Sequence, residues 1–245
     1  MKKKIFYIIY DNLKTLVGAL IIAILIRSLL FQPFYIPSSS MEPTLLVGDR
    51  IFVSKYTYGY SKHSFPFSPN FSNNRFFTKI PEQGDLVVFK TPADNRTDYI
   101  KRLIGLPGDT IQFVNGNLLI NENIIPRKEV ESNEVIRCGK FELETSSFLE
   151  TLPNGTKYLA VYKKRGTLQN TKKFIVPSDH FFLLGDNRDC SKDSRYLDSV
   201  GYVNNINLVG KAQLIFFSND TNIGSLFKFW NLGNSFRFER LFKLL

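Results

Sequence analysis

The chain has 245 residues, 43% of them hydrophobic, with 32 Lys and Arg against 22 Asp and Glu for a net charge of +10. That apolar content excludes global disorder and is enough for one anchor plus one well-sized folded domain, or two small ones. The basic excess gathers at two membrane-suspect ends with no nucleic-acid motif, so lipid is favoured over nucleic acid as a partner; the only Cys and His residues (Cys138, Cys190, His63 and His180) supply neither a disulfide framework nor a convincing zinc or other metal site.

The first predicted element is an anchor. A basic start, Met1–Lys4, leads into apolar residues, and Leu16 to Ile26 runs without a charge. A spanning helix needs about 20 residues, which a helix from near Ile8 to Phe31 reaches if Lys14 and Arg27 snorkel outward. A cleavable signal peptide is the nearest alternative. The long apolar region and the intervening Gln32-Pro33 favour an uncleaved anchor over residues 1–31. Lys2, Lys3, Lys4 and Lys14 precede the span, which predicts a cytoplasmic amino end and a domain on the far side.

Directly after the anchor comes Pro37-Ser-Ser-Ser-Met-Glu-Pro-Thr44, three consecutive hydroxyls close to the membrane. The remainder reads as β. Strands are predicted over Asp49–Tyr56, Asp85–Lys90, Tyr99–Leu103, Thr110–Val114 and Leu118–Ile120, the last two joined by an Asn115-Gly116 hairpin turn. Later strands are predicted over Tyr158–Tyr162, Phe174–Val176, Phe181–Leu184 and Leu208–Phe217. Ser61–Asn74 reads as a long loop. The expected class is mainly β: a transmembrane helix, then a β-barrel-like catalytic core over 32–120 and 174–220, with an inserted β subdomain over 121–173. The basic aromatic tail, 221–245, has two open readings, an amphipathic segment on lipid or a strap packed on the β domain.

A serine hydroxyl is a weak nucleophile until a base takes its proton. With so little histidine, lysine is the other established partner, and it serves only when burial has pushed its pKa down toward working pH. Lys101 is the lysine in apolar company, inside Tyr99-Ile-Lys-Arg-Leu-Ile-Gly105. Strand alternation puts it on a face with Tyr99 and Leu103, and Arg102 on the other with Ile100 and Ile104. By spacing alone, a solvated strand lysine remains the simpler reading.

Four segments together resemble the conserved boxes of bacterial type I signal peptidase, in order and in position after an anchor. They are Ser38-Ser-Ser-Met-Glu-Pro-Thr-Leu45, Gly84-Asp-Leu-Val-Val-Phe-Lys90, Tyr99-Ile-Lys-Arg-Leu-Ile-Gly-Leu-Pro-Gly-Asp109 and Gly185-Asp-Asn-Arg-Asp-Cys-Ser-Lys-Asp-Ser-Arg195. Each is a weak signal alone; their joint occurrence is specific. The resemblance implies Ser40 as nucleophile, Lys101 as general base, and the Ser40 backbone N–H with the Ser38 hydroxyl as oxyanion donors. It implies Ser191 orienting the lysine, Asp193 and Arg195 as a supporting ion pair, and Asp186, Asn187 and Arg188 as turn and scaffold. Ile36, Pro37, Leu45, Tyr99 and Ile100 would line shallow pockets for small residues of an Ala-x-Ala type site, with no cofactor and no metal. Ser39, Glu42 and Cys190 depart from the family's usual residues without removing a group the chemistry needs. Cys190 reads as a small buried side chain, and whether it pairs with Cys138 is left open.

The implied partners are secretory preproteins and membrane lipid. The implied place is the bacterial plasma (inner) membrane, single-pass, with the catalytic domain on the outer, periplasmic side. Phe31 and Ser40 are nine positions apart, so the nucleophile lies within about 30 Å of the outer lipid face. Two rival readings differ in class: a non-catalytic, membrane-anchored β-rich binding or assembly protein, and a related Ser-Lys protease that cuts itself or a regulator.

Overall fold

A computed structural model describes residues 2–70, 72, 74–131, 135–139, 141–220 and 235–245. The chain opens with helix α1, Lys2–Leu29. Its stretch Ile9–Leu29 has 21 residues and a mean hydropathy of 1.8, and its large apolar side chains are exposed. At 1.5 Å per residue this is about 32 Å, long and apolar enough to cross a bilayer. The helix stops two residues earlier than its apolar run suggests. Phe31 opens strand β1, Phe31–Tyr35, rather than closing the helix. Pro33 explains the change: its ring disfavours helical geometry at Gln32, and a proline is tolerated on an edge strand, which β1 is. The helix end is tied to the domain by Lys55 N–H and Tyr60 Oη, which donate to the carbonyls of Leu30 and Leu29, both at 2.9 Å.

The rest is mainly β, as its composition leads one to expect. In chain order the strands are β2 (Asp49–Ser54), β3 (Leu86–Lys90), β4 (Asp98–Gly105), β5 (Thr110–Val114), β6 (Asn117–Ile120), β7 (Asn123–Ile124), β8 (Arg127–Val130) and β9 (Ile136–Cys138). There follow β10 (Phe141–Leu143), β11 (Thr145–Thr151), β12 (Lys157–Lys163), β13 (Phe174–Ile175), β14 (His180–Leu184), β15 (Val203–Asn204), β16 (Leu208–Ser218) and β17 (Lys243–Leu244). An eight-stranded sheet runs β1-β2-β16-β3-β4-β14-β15, with β17 also on β16. Its ladders are antiparallel, and β16 carries register shifts against both β2 and β3, the bulges that let a long strand curl. Smaller sheets follow the orders β13-β5-β6-β7 and β12-β11-β8, with a separate β9-β10 hairpin. Asn115 and Gly116 take φ of 49° and 74° in the β5–β6 turn, a left-handed geometry that this dipeptide accommodates.

Three apolar clusters lie under these sheets. Met41, Leu45, Ile51, Val53 and Ile215 pack in one. Phe89, Leu103, Phe181 and Leu183 pack in a second. Ile104, Phe113, Tyr158 and Phe182 pack in a third, where the smaller sheets meet β4 and β14. Strand β4 therefore runs through the middle of the molecule and contributes to more than one cluster.

The end of the chain packs onto the β domain. β17 pairs with β16, and Arg240 reaches back to grip Asp49 with both nitrogens, at 3.0 and 2.7 Å. Residues 235–245 thus take the strap reading; the expectation of a lipid-surface segment within 221–234 lies outside the described residues.

Candidate active site

The three-serine stretch ends in a short 3-10 turn, Ser39–Met41, entered from an extended Ser38. Met41 and Leu45 anchor this turn in the core, both with no exposed surface. The turn is held from outside by the 185–195 segment. Asn187 donates its side-chain amide to the Ser39 carbonyl at 3.1 Å and its backbone N–H to the Ser40 carbonyl at 3.2 Å. Gly185 permits this approach: a Cβ there would fall 2.5 Å from the Ser40 carbonyl oxygen and would also overlap Ser191.

Ser40 is buried and faces Lys101. The Lys101 ammonium donates to Ser40 Oγ at 2.7 Å and to the Ile100 carbonyl at 2.9 Å. It lies 5.5 Å from the Tyr99 ring centroid, on the face that strand alternation predicts. Lys101 is only 4% exposed. Burial lowers its pKa from 10.5 to about 8, against an opposing pull from the more distant Asp193 and Asp186 carboxylates. An amine so placed loses its proton far more readily than a surface lysine. Ser38 Oγ lies 3.4 Å from Ser40 Oγ, on the open side of the pair.

Asp193 and Arg195 form a buried ion pair at 2.8 Å. Burial pushes the Asp193 carboxyl up, but Arg195 and the Gly185 N–H hold it below the usual carboxylate range. Ser191 is buried against Gly185, and no hydrogen bond joins it to Lys101. Asp186 and Arg188, read as turn and scaffold from sequence, each hold a buried ion pair. Asp186 binds Arg102 through both oxygens at 2.8 and 2.7 Å, below the same strand that carries Lys101. Arg188 is 1% exposed and pairs with Glu150 of β11 at 2.7 Å. Tyr158 and Tyr162 of β12 donate to that same carboxylate at 2.6 and 2.7 Å. Sequence reasoning singled out neither Glu150 nor these tyrosine hydroxyls, and the sole signal was an acid inside an otherwise half-apolar strand.

Cys190 is not a small buried thiol. It is disulfide-bonded to Cys138, with Cα atoms 5.5 Å apart. The bridge ties the β9–β10 hairpin to the Arg188–Cys190 turn, which lies against the Ser39–Met41 turn. Around it, Arg137 N–H donates to Glu42 at 2.7 Å and Gly139 N–H to Ser39 Oγ at 3.4 Å. Ser39 and Glu42, the other two departures from the family pattern, are thus the residues that receive the hairpin.

A cleft of about 390 Å³ opens onto the Ser40–Lys101 pair. Ile36, Pro37, Tyr99 and Ile100 line it as anticipated, together with Phe34 and Val88. Leu45 does not; it packs behind the turn. On β4, strand β14 pairs no further toward the cleft than Arg102, while β3 continues along the other edge to Asp98. The Tyr99–Lys101 backbone therefore has one edge to offer an incoming strand. Among the described residues, no group of three or more His, Cys, Asp or Glu is placed to hold a metal ion.

The family described as signal peptidase, peptidase S26, matches residues 9–217. A signal peptidase I of Rickettsia typhi is 42% identical over 243 residues, covering 91% of this chain and 89% of that protein. One from Rickettsia bellii is 40% identical over 250 residues, covering 95% and 84%. A crystal structure of a signal peptidase I from Enterococcus faecalis V583 is 28% identical and covers 54% of this chain and 97% of that chain, but its TM-score of 0.33 bears no weight on the fold.

Proposed function

The chain belongs to the signal peptidase family, peptidase S26, and we propose that it removes signal peptides by acyl transfer from a Ser40 nucleophile activated by Lys101. Membership makes it a membrane-anchored protease whose substrates are secretory preproteins. The observation that carries the finer reading is the 2.7 Å contact between a buried amine of lowered pKa and a buried hydroxyl.

In this mechanism the precursor's extended segment adds to the free edge at Tyr99–Lys101, pairing main chain to main chain. The wall of Ile36, Pro37, Tyr99 and Ile100 leaves shallow room, so small side chains at −1 and −3, of the Ala-x-Ala type, fit best. Neutral Lys101 takes the Ser40 proton as Oγ attacks the scissile carbonyl. The Ser40 N–H and Ser38 hydroxyl receive the developing negative oxygen, a contribution of about 3 kcal/mol per well-placed donor. Lys101 then returns its proton to the leaving amine, and water hydrolyses the ester with the lysine again as base. Asp193 and Arg195 hold the surrounding backbone through the Gly185 N–H and the Arg188 carbonyl, and Ser191 is the residue the family resemblance gives for orienting the lysine. The basic amino end stays cytoplasmic and the β domain faces outward, so nucleophile and emerging cleavage site meet at one lipid face, where shared anchoring raises their effective concentration.

The test incubates the purified full-length protein with a secretory precursor, comparing wild type with Lys101→Met. Processing by the wild type alone is the expected result, and equal processing by both proteins removes Lys101 as the base. Replacing the precursor's −1 alanine by leucine is expected to stop cleavage by the wild type; undiminished cutting refutes the small-residue preference.

A further inference from the structure

A second cavity, of about 510 Å³, lies beside the peptide cleft and shares Phe34 and Asp98 with it. Its walls bring together Arg27, Lys55, Lys62, Lys90 and Arg96, against the carboxylates Asp94 and Asp98. Both carboxylates are engaged locally: Asp98 with Lys90 at 2.9 Å, and Asp94 with the backbone N–H groups of Arg96 and Thr97 at 2.9 and 3.0 Å. Cationic charge is left over in a concave, partly desolvated place.

Two deeply buried groups on these walls are short of partners. Lys55 is 2% exposed, and its ammonium, with three donors, reaches the Ser64 carbonyl at 2.5 Å. Burial, then the neighbouring Arg27, lowers its pKa to about 8 against an upward pull from Asp98, whose carboxylate is in contact with Lys90 instead. His63 is 4% exposed; its Nδ1 meets Ser68 Oγ at 3.0 Å, and its buried Nε2 has no hydrogen-bond partner. The Ser40–Lys101 chemistry uses neither residue. A buried ammonium short of acceptors and an unfilled imidazole nitrogen are costly unless a hydrogen-bond partner reaches them.

The position of the cavity narrows what that is. Arg27 belongs to the last turn of the spanning helix, which ends at Leu29. The cavity mouth therefore sits where the hydrocarbon gives way to headgroups. On the same wall the Phe67 ring is fully exposed, an apolar group suited to the lipid interface. We propose that this cavity binds the phosphate of an anionic phospholipid headgroup, seating the β domain on the outer leaflet beside the route of the emerging precursor. Basic side chains at a membrane surface are attracted to such lipids, and arginine and lysine are the usual phosphate partners.

The experiment uses full-length protein in dodecylmaltoside and follows the thermal midpoint by circular dichroism. The additives are dihexanoylphosphatidylglycerol, dihexanoylphosphatidylcholine or inorganic phosphate at equal concentration. The anionic lipid at ten times its Kd is expected to raise the wild-type midpoint by about 3–6 °C, with a smaller rise from the zwitterionic lipid and none from phosphate. The paired substitution Lys62→Glu and Arg96→Glu, both off the peptide cleft, is expected to abolish the rise while leaving the additive-free midpoint in place. If that pair lowers the midpoint by itself, Lys62→Gln alone carries the same comparison. No rise in the wild type, or an equal rise in the variant, overturns the proposal. A rise with inorganic phosphate equal to that with lipid assigns the cavity to a free ion and overturns the lipid occupant.

Discussion

Lys101 and Arg102 are neighbours on one strand, both nearly fully buried, and they face opposite ways into opposite electrostatic worlds. Arg102 meets Asp186 in a two-pronged ion pair and also donates to the Gly84 carbonyl at 2.8 Å. Burial alone would lower its pKa, but Asp186 overrides that and raises it. Lys101 has a hydroxyl and a carbonyl within reach and no carboxylate in contact, so burial wins and its pKa falls. Below Lys101's strand, Arg188 repeats the Arg102 pattern with Glu150. The difference teaches what separates scaffold from chemistry here. A buried cation given its counter-ion becomes a fixed strut; one without a contacting counter-ion gives up its proton more readily, which is what the base proposed at Lys101 requires.

The sharpest way to break that contrast is to remove the group on each side and ask what is lost. Ser40→Ala or Lys101→Met is expected to cost about 10⁴-fold or more in precursor processing. Neither should lower the thermal midpoint, since Lys101→Met discards an unpaired buried ammonium and keeps the volume of its stem. On the scaffold side the effect lands on folding. Arg188→Met leaves Glu150 buried without its cation and is expected to cost about 3–5 kcal/mol of stability, read by urea unfolding. Glu150→Gln in the same background should recover part of that loss. A scaffold variant that keeps its stability but loses turnover, or a Lys101→Met that unfolds, would erase the distinction.

The disulfide belongs with the scaffold but touches the site. Cys138→Ser with Cys190→Ser opens a closure of 52 residues and is expected to lower stability by about 2–4 kcal/mol. The hydrogen bonds from Arg137 and Gly139 to the nucleophile turn then depend on the hairpin staying docked by itself. Processing should fall severalfold through a raised KM, because Cys190 is part of the cleft wall. Reduction of the wild type should reproduce both changes, measured with the same precursor.

Legibility differed between the two faces for a physical reason. The proposed site residues were named through short boxes that resemble a known family: Ser38, Ser40 and Lys101 line one cleft, while Asp193, named the same way, is fully buried and outside its lining. Most of the strands were readable too, since alternation and the Asn115-Gly116 turn are local signals. What escaped depends on distant partners. Glu150 is 38 positions from Arg188, Cys138 is 52 from Cys190, and Asp49 is 191 from Arg240, and nothing in any of these stretches announces the other. Leu45 shows the converse error: it sits inside a chemical box, yet its side chain turns into the core. The β1 strand was hidden because an apolar run read by length alone extends the helix through Phe31, whereas Pro33 ends it.

The smallest expected effect, and the finest test of the contrast, is in pH. If Lys101 must be neutral to act, processing should rise about tenfold per pH unit below about 8 and level off above it. Stability gives a second reading of the same group with an independent sign. The folded-state pKa, about 8, lies below the value of 10.5 for a free lysine. Between these two values the unfolded chain binds more protons than the folded one, so stability rises with pH across that window. Below about 8 both states hold the proton and the burial penalty is constant. Lys55 is lowered to about 8 as well, so the wild-type curve alone mixes two amines. Subtracting the curve of Lys101→Met isolates the first: the variant's advantage in thermal midpoint should be largest and flat below pH 8 and should shrink toward pH 10.5. A difference that does not change with pH, alongside a processing rate that still climbs through 8, would move the titrating base to another residue.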